Sequence, residues 1–188
     1  MPYMGRTCRT WHRDNGSSEL YDEALNVGPL NLGTDPMIEF NNDKHGEKLA
    51  QRMGSVFSPK AEKVISRSER GVLYGGCIYD GHTGPAVGIH VVGMRPNWVN
   101  RHLIYFCFAY PFYQLKVDML LGKVASTNKA ALKLDLHLGF RVLYAIEGAV
   151  PGGDLLILRM DKNDCRWLDR PPTDIEIVPG GIAVRKAA

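Results

Sequence analysis

The chain of 188 residues is 45% hydrophobic and 23% charged, and its 23 basic and 20 acidic residues give a formal net charge of +3. These values are those of a globular protein and exclude a disordered, collagenous or coiled-coil chain. The length fits one domain of ordinary size. A nucleic-acid-binding role would rest only on Arg6, Arg9, Arg13 and a C-terminal basic pair, so we expect no nucleic-acid partner.

Four cysteines, Cys8, Cys77, Cys107 and Cys165, are far apart in the sequence. The sequence contains no CxxC motif or Cys/His cluster, so it predicts no metal site and no disulfide framework. Scattered single cysteines are typical of a reducing compartment. The N-terminal residues lack the apolar core of a signal peptide, and the most apolar stretch, 103–115, is too short to cross a bilayer. We therefore expect a cytoplasmic protein without a membrane partner.

Three segments are expected along the chain. An extended N-terminal arm covers residues 1–36, one folded domain covers 37–168, and a proline- and glycine-rich tail covers 169–188. Breakers and polar residues dominate both ends, so neither end is expected to belong to the core. The two ends are candidates for contacts with a protein partner.

The first half of the domain is predicted to contain a helix and several strands. Asn42 or Asp43 is a candidate N-cap for the helix, and Gly54 is its stop. Two apolar runs around a glycine-containing turn predict a β-hairpin. The predicted elements are a strand over 37–40, a helix over 44–53 and strands over 63–66, 71–79 and 85–94.

The second half of the domain is predicted to contain two helices and three strands. Asn97 is a candidate N-cap for the first helix, and Pro111 lies at its end. The aromatic band over 105–113 is expected to pack in the core rather than to stack on bases. The predicted elements are a helix over 98–110, a strand over 118–125, a helix over 129–138 and a closing hairpin of 140–147 and 154–160. This order predicts an α+β fold with one β-α-β unit in the middle, where a helix N-terminus favours anionic ligands.

A short pattern near the second of these helices points to a known family. Asn128 and Ala131 open the helix, and Leu138-Gly139-Phe140 follows it and opens a strand. In this pattern the chain resembles the GNAT N-acetyltransferase superfamily, and the order of the upstream elements fits the same superfamily. The resemblance implies the GNAT-like acyl-CoA N-acyltransferase fold, with a mixed and mostly antiparallel sheet whose central β-α-β unit is flanked by helices.

The chain is more closely similar to GNAT-like proteins encoded among the structural genes of tailed bacteriophages, some of which are internal virion proteins. The matching features are His90 in IHVVG, Trp98, YPFYQL at 110–115, DLHLGF at 135–140 and CRWL at 165–168. This similarity implies an alternative to an enzyme. The chain would then be a catalytically inactive virion or host-interaction component, located in the host cytoplasm or the virion.

The GNAT resemblance implies acetyl-CoA as the cofactor. In that superfamily a loop of the form Q/R-x-x-G-x-G/A lets the pyrophosphate approach backbone amides. This chain has RPNWVNR instead, with bulky Trp98 and Val99 in the loop. The helix N-terminus still offers its dipole, and Arg95 and Arg101 offer charge. The alternative is that Asn97 only caps the helix and that both arginines are solvated.

The expected acetyl-CoA site combines this loop, the strand before it and the later helix. The residues implied by the resemblance are Val91, Val92, Gly93, Met94, Arg95, Asn97, Trp98, Val99, Asn100, Arg101, Asn128 and Ala131. For Asn128 a capping role is an equal alternative, and the two roles are compatible.

The resemblance implies direct attack of an amine on the thioester, which needs a base. His90 is the first candidate, because imidazole titrates near neutral pH and the residue lies on the strand that would border the amine. A bound water is the alternative base, and Glu39 and Glu147 are weaker ones. His90 is equally well interpreted as a buried, hydrogen-bonded histidine. The amine acceptor is either a small molecule or a protein.

A transferase of this kind also needs an acid for the leaving thiolate. Many members of the superfamily have a tyrosine four residues before the glycine of Leu-Gly-Phe. Counting back from Gly139 gives Asp135, whose carboxyl group could help only when protonated, and we expect Asp135 to be structural or solvated instead. Tyr144 is the nearest tyrosine and is the second catalytic candidate.

Overall fold

The computed structural model describes residues 37–178 and 181–184, the latter four and 175–178 by their backbone alone. The strands are β1 (Met37–Phe40), β2 (Lys63–Glu69), β3 (Val72–Asp80), β4 (Ala86–Gly93), β5 (Met119–Ala125), β6 (Arg141–Val150), β7 (Gly153–Asp161), β8 (Ile175–Val178) and β9 (Gly181–Val184). The helices are α1 (Asp43–Met53), α2 (Arg101–Ala109) and α3 (Lys129–Leu138). The predicted N-terminal arm, 1–36, lies outside the described residues.

The nine strands of the described residues belong to one mixed sheet with the order β6-β7-β5-β4-β3-β2-β1-β9-β8. Every neighbouring pair is antiparallel except β4 and β5. The connection between these two parallel strands contains α2, which confirms the predicted β-α-β unit. This unit lies at the middle of the sheet, where the only parallel pair of the described residues is found.

The ends of α1 and α3 follow the predicted signals. The side chain of Asn42 accepts the amide of His45 at 3.3 Å, and that of Asn128 accepts the amide of Ala131 at 3.1 Å. Glycines in left-handed conformation follow both helices, with φ 108° at Gly139. Such a conformation suits glycine, which has no Cβ. The two predicted caps are therefore confirmed.

The prediction for the start of α2 is wrong. The helix begins at Arg101, and its cap is Asn100, whose side chain accepts the amide of Leu103 at 2.8 Å. Asn97 lies in the preceding loop in a left-handed conformation with φ 56°. Asparagine tolerates this conformation better than most residues, so the residue that looked like a cap forms a turn instead. At its other end, α2 continues as a π-helical turn that contains Pro111.

Apolar side chains fill both faces of the sheet. On one face the aromatic residues of α2 and the following turn form the main core, which confirms their predicted packing role. Their buried members are Tyr105, Phe106, Phe108, Tyr110 and Phe112. On the other face α1 packs over β2, β3 and β4 through Leu49 and Ala50, against Ile78 and Val92.

The tail differs from its prediction. Part of the stretch expected to be a surface arm, 169–188, forms β8 and β9, and β9 pairs antiparallel with β1. The free edge of β1 offers unpaired backbone groups, which a further strand satisfies. Two short apolar runs, IEIV and GIAV, flank Pro179-Gly180 in the sequence, and this signal predicts a hairpin.

Candidate functional site

The sheet opens between β4 and β5. Their parallel pairing runs from Ala86 and Met119 to Ile89 and Gly122. Beyond this point β4 continues to Gly93 and β5 to Ala125 without further pairing between them. A V-shaped gap, here called the wedge, therefore separates the ends of the two parallel strands.

The backbone of β4 presents alternate residues to the wedge. The amide of Met94 donates to the carbonyl of Tyr74 at 2.9 Å. Because backbone direction alternates along a strand, Val92 also points its polar groups toward β3, whereas Val91 and Gly93 point theirs toward the wedge. Of the four strand residues predicted to bind the cofactor, two thus face the gap and two are committed to β3.

The opposite wall is formed by β5. The amide of Ser126 donates to the carbonyl of Asp154 at 2.8 Å, in register with the pairing of Ala125 and Leu155 on β7. The same alternation then points the polar groups of Lys123 and the amide of Ala125 into the wedge, whereas the Ala125 carbonyl accepts the amide of Asn128 at 2.9 Å. Both walls therefore carry backbone donors and acceptors that no strand satisfies.

A cavity of about 190 Å³ occupies the wedge. It is lined by both strands, by one face of α3 and by Met53 at the end of α1. The residues of β4 and α3 at its wall are Ile89, His90, Val91, Asn128, Ala131, Leu134 and Asp135. The predicted site residues His90, Asn128 and Ala131 are thereby brought together.

His90 has a carboxylate partner that sequence reasoning missed. Its Nε2 lies 3.1 Å from Oδ2 of Asp80 at the end of β3. The two residues occupy diagonal positions on one face of neighbouring strands. Gly88 makes this possible, since a Cβ there would collide with the Asp80 carboxylate. Both side chains are partly exposed, at 26% and 34%. The spacing of Asp80, Gly88 and His90 across a predicted hairpin is the signal that could have revealed the pair.

Asp135, four residues before Gly139, occupies the wall of the cavity. Burial raises the pKa of its carboxyl group from the ordinary 3.8 to about 6. Removing a carboxyl group from water disfavours its charged form, which explains the direction. A carboxyl group of this kind exchanges its proton close to neutral pH.

The other predicted acid–base candidates lie away from the wedge. Tyr144 is on β6 at the edge of the sheet, two strands from β5, and is 66% exposed. Glu147 is exposed on the same strand. The Glu39 carboxylate accepts a hydrogen bond from Ser68 and another from Asn42 at 2.7 Å. The structure does not bring these three residues to His90, because β6 and β1 lie on opposite sides of the central strands.

Trp98 does not fill the wedge. Its indole lies across two glycines of β3 and β4, where a Cβ would come within 2.6 Å at Gly75 and 2.5 Å at Gly93. With Val99 it lines a separate small space of about 20 Å³ between β4, α2 and α3. The bulky side chain of Trp98 is thus packed against the sheet.

The first turn of α2 holds a carboxylate from the C-terminal segment. Oδ1 of Asp174 lies 3.0 Å from Nε2 of His102 and 3.4 Å from the Arg101 guanidinium. The hydrogen bond from His102, helped by the charge of Arg101, lowers the pKa of Asp174. Arg101 remains 62% exposed, and Arg95 is also exposed. This helix end therefore already attracts an anionic group.

Residues 37–178 and 181–184 contain no group of three or more His, Cys, Asp or Glu side chains placed to hold a metal ion. Among the same residues, no helix has the length and apolar character needed to cross a membrane.

Comparison with known proteins supports the fold. No protein-family model and no curated protein matches the sequence. Solved structures do match. The putative acetyltransferase YncA from Salmonella typhimurium, solved with its cofactor acetyl-CoA, has a TM-score of 0.54 at 15% identity and covers 74% of this chain and 99% of its own. A chimera of the spermidine N-acetyltransferase SpeG from Vibrio cholerae and hSSAT has a TM-score of 0.55 at 14% identity, covering 73% and 100%.

The description of a third similar structure names the GNAT family. A putative acetyltransferase of the GNAT family from Desulfovibrio desulfuricans has a TM-score of 0.52 at 11% identity and covers 66% of this chain and 99% of its own. The chain thus has the GNAT acyltransferase fold, as the sequence predicted. At such low identity the likeness concerns the fold and leaves the activity to be inferred from the site.

Proposed function

We propose that this protein is an acetyl-CoA-dependent N-acetyltransferase that transfers an acetyl group to an amine. The observation that carries the proposal is the wedge, in which β4 and β5 separate beyond Ile89 and Gly122 and leave a cavity between them. Acetyl-CoA would supply the acetyl thioester and the leaving thiolate. The structure of YncA, which was solved with acetyl-CoA, supports this choice of cofactor.

The residues of the wedge fit the cofactor's pantetheine arm. Val91 and Gly93 on one side and Lys123 on the other offer backbone groups that an amide-containing chain can pair with. At the phosphate end, α2 offers the amides of Arg101 and His102, which precede the first intrahelical donor, the amide of Ile104. The Arg101 guanidinium, which contacts the Asp174 carboxylate at 3.4 Å, would add positive charge at this end of α2.

His90 is the proposed base. The Asp80 carboxylate accepts the Nε2–H of the neutral imidazole, which leaves Nδ1 as the proton acceptor. Asp80 also holds the ring at the cavity wall. In this arrangement His90 takes the proton of the amine, and Asp80 stabilises the resulting imidazolium.

Asp135 replaces Tyr144 as the proposed acid. It lines the same cavity as His90, whereas Tyr144 lies at the sheet edge. Its raised pKa of about 6 leaves part of the population protonated near neutral pH. The protonated carboxyl group would donate its proton to the leaving sulfur, which leaves as a neutral thiol while Asp135 becomes a carboxylate. No carboxylate would then lie beside the sulfur while its negative charge develops.

Calorimetric titration with CoA, followed by a thiol-release assay with acetyl-CoA and a panel of amines, tests the proposal. We expect micromolar binding and thiol release that depends on the amine. The variant Arg101→Glu should weaken binding, because it reverses a charge at the α2 N-terminus. Absence of heat at millimolar CoA would contradict the proposal.

The second candidate is a catalytically inactive bacteriophage protein of this fold. It would act either as a component of the virion or in an interaction with the host. It is favoured by the side chains of Trp98 and Val99, which add bulk where the superfamily loop has none. Asn100 also occupies the amide of Leu103 at the α2 N-terminus. Under this alternative the chain binds no CoA, so the same titration separates the two candidates.

A further inference from the structure

One buried arginine has no part in the site described so far. Arg67 on β2 is only 8% exposed. Its Nη1 donates to the carbonyl oxygens of Asn97 at 2.9 Å and Trp98 at 3.2 Å, and its Nη2 lies 3.3 Å from the Glu69 carboxylate. Arg67 thus joins β2 to the 94–100 loop, which connects β4 to α2.

Two features of β3 allow this reach. Gly75 is the register partner of Arg67, so no side chain of β3 stands in the way on that face of the sheet. The guanidinium carbon lies 4.6 Å from the centre of the Tyr74 ring, a distance at which a cation is attracted to the ring face. The Tyr74 ring therefore holds the guanidinium, and Gly75 leaves it the room to reach the loop.

The two carbonyl contacts determine which way the loop's amides point. In a planar trans peptide the C=O and the following N–H point in opposite directions. Since the carbonyls of Asn97 and Trp98 point to Arg67, the amides of Trp98 and Val99 point away from it. The left-handed turn at Asn97 precedes these two amides, and successive amides in turns of this kind form anion-binding concavities.

On this geometry we propose that Arg67 is the positioning residue of the phosphate site. It fixes the 94–100 loop so that the Trp98 and Val99 amides face the pyrophosphate of acetyl-CoA. The inference rests on the proposed acetyl-CoA binding. It explains how a loop without the usual glycines can still offer amides, since a side chain from a distant strand orients the peptide units.

The experiment compares two arginines close together in the chain. Arg67→Met and Arg67→Lys test the contact, and Arg70→Met is the matched control, because Arg70 is exposed in the adjoining turn. CoA binding is measured by calorimetry, thermal unfolding by circular dichroism, and turnover with acetyl-CoA and with S-acetylpantetheine, a donor without pyrophosphate.

We expect Arg67→Met to weaken CoA binding at least ~10-fold, the loss typical of a removed charged hydrogen-bonding group. Arg67→Lys should lie between Arg67→Met and wild type, and Arg70→Met should match wild type. Turnover with S-acetylpantetheine should stay unchanged in all variants. In the wild-type amide NMR spectrum, the Trp98 and Val99 signals should shift when CoA is added.

Three outcomes would overturn the inference. CoA binding that is equally tight in Arg67→Met and wild type removes Arg67 from the phosphate site. An equal fall of turnover with both donors assigns Arg67 to the fold alone. If Arg67→Met does not fold, Arg67→Lys decides between these results. A wild-type protein that binds no CoA overturns the proposed function as well, which distinguishes that failure from the other two.

Discussion

Two strand-to-helix corners flank the wedge, and they are built in different ways. At the corner of β5 and α3, three residues connect the elements and Asn128 caps the helix from within that connection. At the corner of β4 and α2, the longer 94–100 loop is held by Arg67 from β2 and by packing of Trp98 on Gly75. The first corner depends on neighbours in the sequence and the second on residues from distant strands.

The largest effect is expected at His90 on β4. It tests whether removal of the proton from the amine depends on this strand. His90→Ala removes the proposed base, so thiol release should fall by about 100-fold or more, the usual contribution of a general base. Since the side chain is partly exposed, unfolding should change little. The measurement is the rate of thiol release at saturating acetyl-CoA.

His82→Ala is the matched control, because His82 is an exposed histidine of the turn between β3 and β4. It should retain the wild-type rate. If His90→Ala and His82→Ala behave alike, a bound water or another group takes the proton and His90 leaves the mechanism.

The next effect concerns packing on the two walls of the wedge. A Cβ at Gly93 would lie 2.5 Å from the Trp98 indole, whereas one at Gly122 meets Leu158 at an ordinary 3.4 Å. We expect Gly93→Ala to lower the free energy of unfolding by about 2 kcal/mol, as overpacking does. Gly122→Ala should change it by less than about 0.5 kcal/mol. Urea denaturation measures both values.

Equal stabilities of Gly93→Ala and Gly122→Ala would show that the indole moves freely. The 94–100 loop would then not be fixed against the sheet, and the contrast between the two corners would disappear.

The same contrast explains how far the sequence could predict the molecule. The start and end of α3 follow from Asn128 and Gly139, since helix caps act on amides and carbonyls a few residues away. The start of α2 could not be found in this way. Asn97 and Asn100 carry the same local signal, and the choice between them depends on Arg67, which is about 30 residues away in sequence and binds the loop carbonyls.

The residues of the site also divide into those that the sequence predicts and those that it does not. His90, Asn128 and Ala131 reach one cavity because the predicted β-α-β unit places them there. The partner of His90 was not predicted, since its approach depends on the absence of a side chain at Gly88. The choice between Tyr144 and Asp135 as the proposed acid shows the same division. Counting residues identifies a position in a helix, but only the packed structure shows that burial changes the carboxyl group there.

Variants of three asparagines test the interactions at the two corners that involve residues close together in the sequence. Asn128→Ala and Asn100→Ala each remove a side-chain acceptor from a helix amide and should cost about 1 kcal/mol of unfolding free energy. Asn97→Ala should cost a similar amount for a different reason, because alanine resists the left-handed conformation by about 1 kcal/mol. Asn97→Gly should leave stability unchanged or raise it, which separates the two causes. Chemical denaturation measures all four variants, and a loss in Asn97→Gly equal to that in Asn97→Ala would contradict the assignment of Asn97 to a turn.

The smallest effect on stability, and the one that connects stability with chemistry, is expected at Asp135. Its carboxyl group keeps a proton up to about pH 6 in the folded chain but only to about 3.8 when unfolded. Between these values the folded state binds more protons, so the stability contributed by Asp135 falls as the pH rises and stays low above about 6. Asp135→Asn removes the ionisation. It should therefore stabilise the protein near neutral pH by less than about 1 kcal/mol after allowance for solvent screening, and this gain should vanish on acidification below about pH 4.

The same variant should also be a poorer enzyme, because an amide cannot give a proton to the leaving sulfur. We expect wild-type turnover to decline as the pH rises through about 6, as the acid form of Asp135 is lost, and this limb of the profile to disappear in Asp135→Asn together with ~10-fold or more of the rate. If Asp135→Asn is more stable near neutral pH but slower, Asp135 is the acid, and its burial lowers the free energy of unfolding of the wild-type protein. A variant that is more stable and equally fast would show that Asp135 only lines the wall of the cavity, and the proton for the sulfur would then have to come from water.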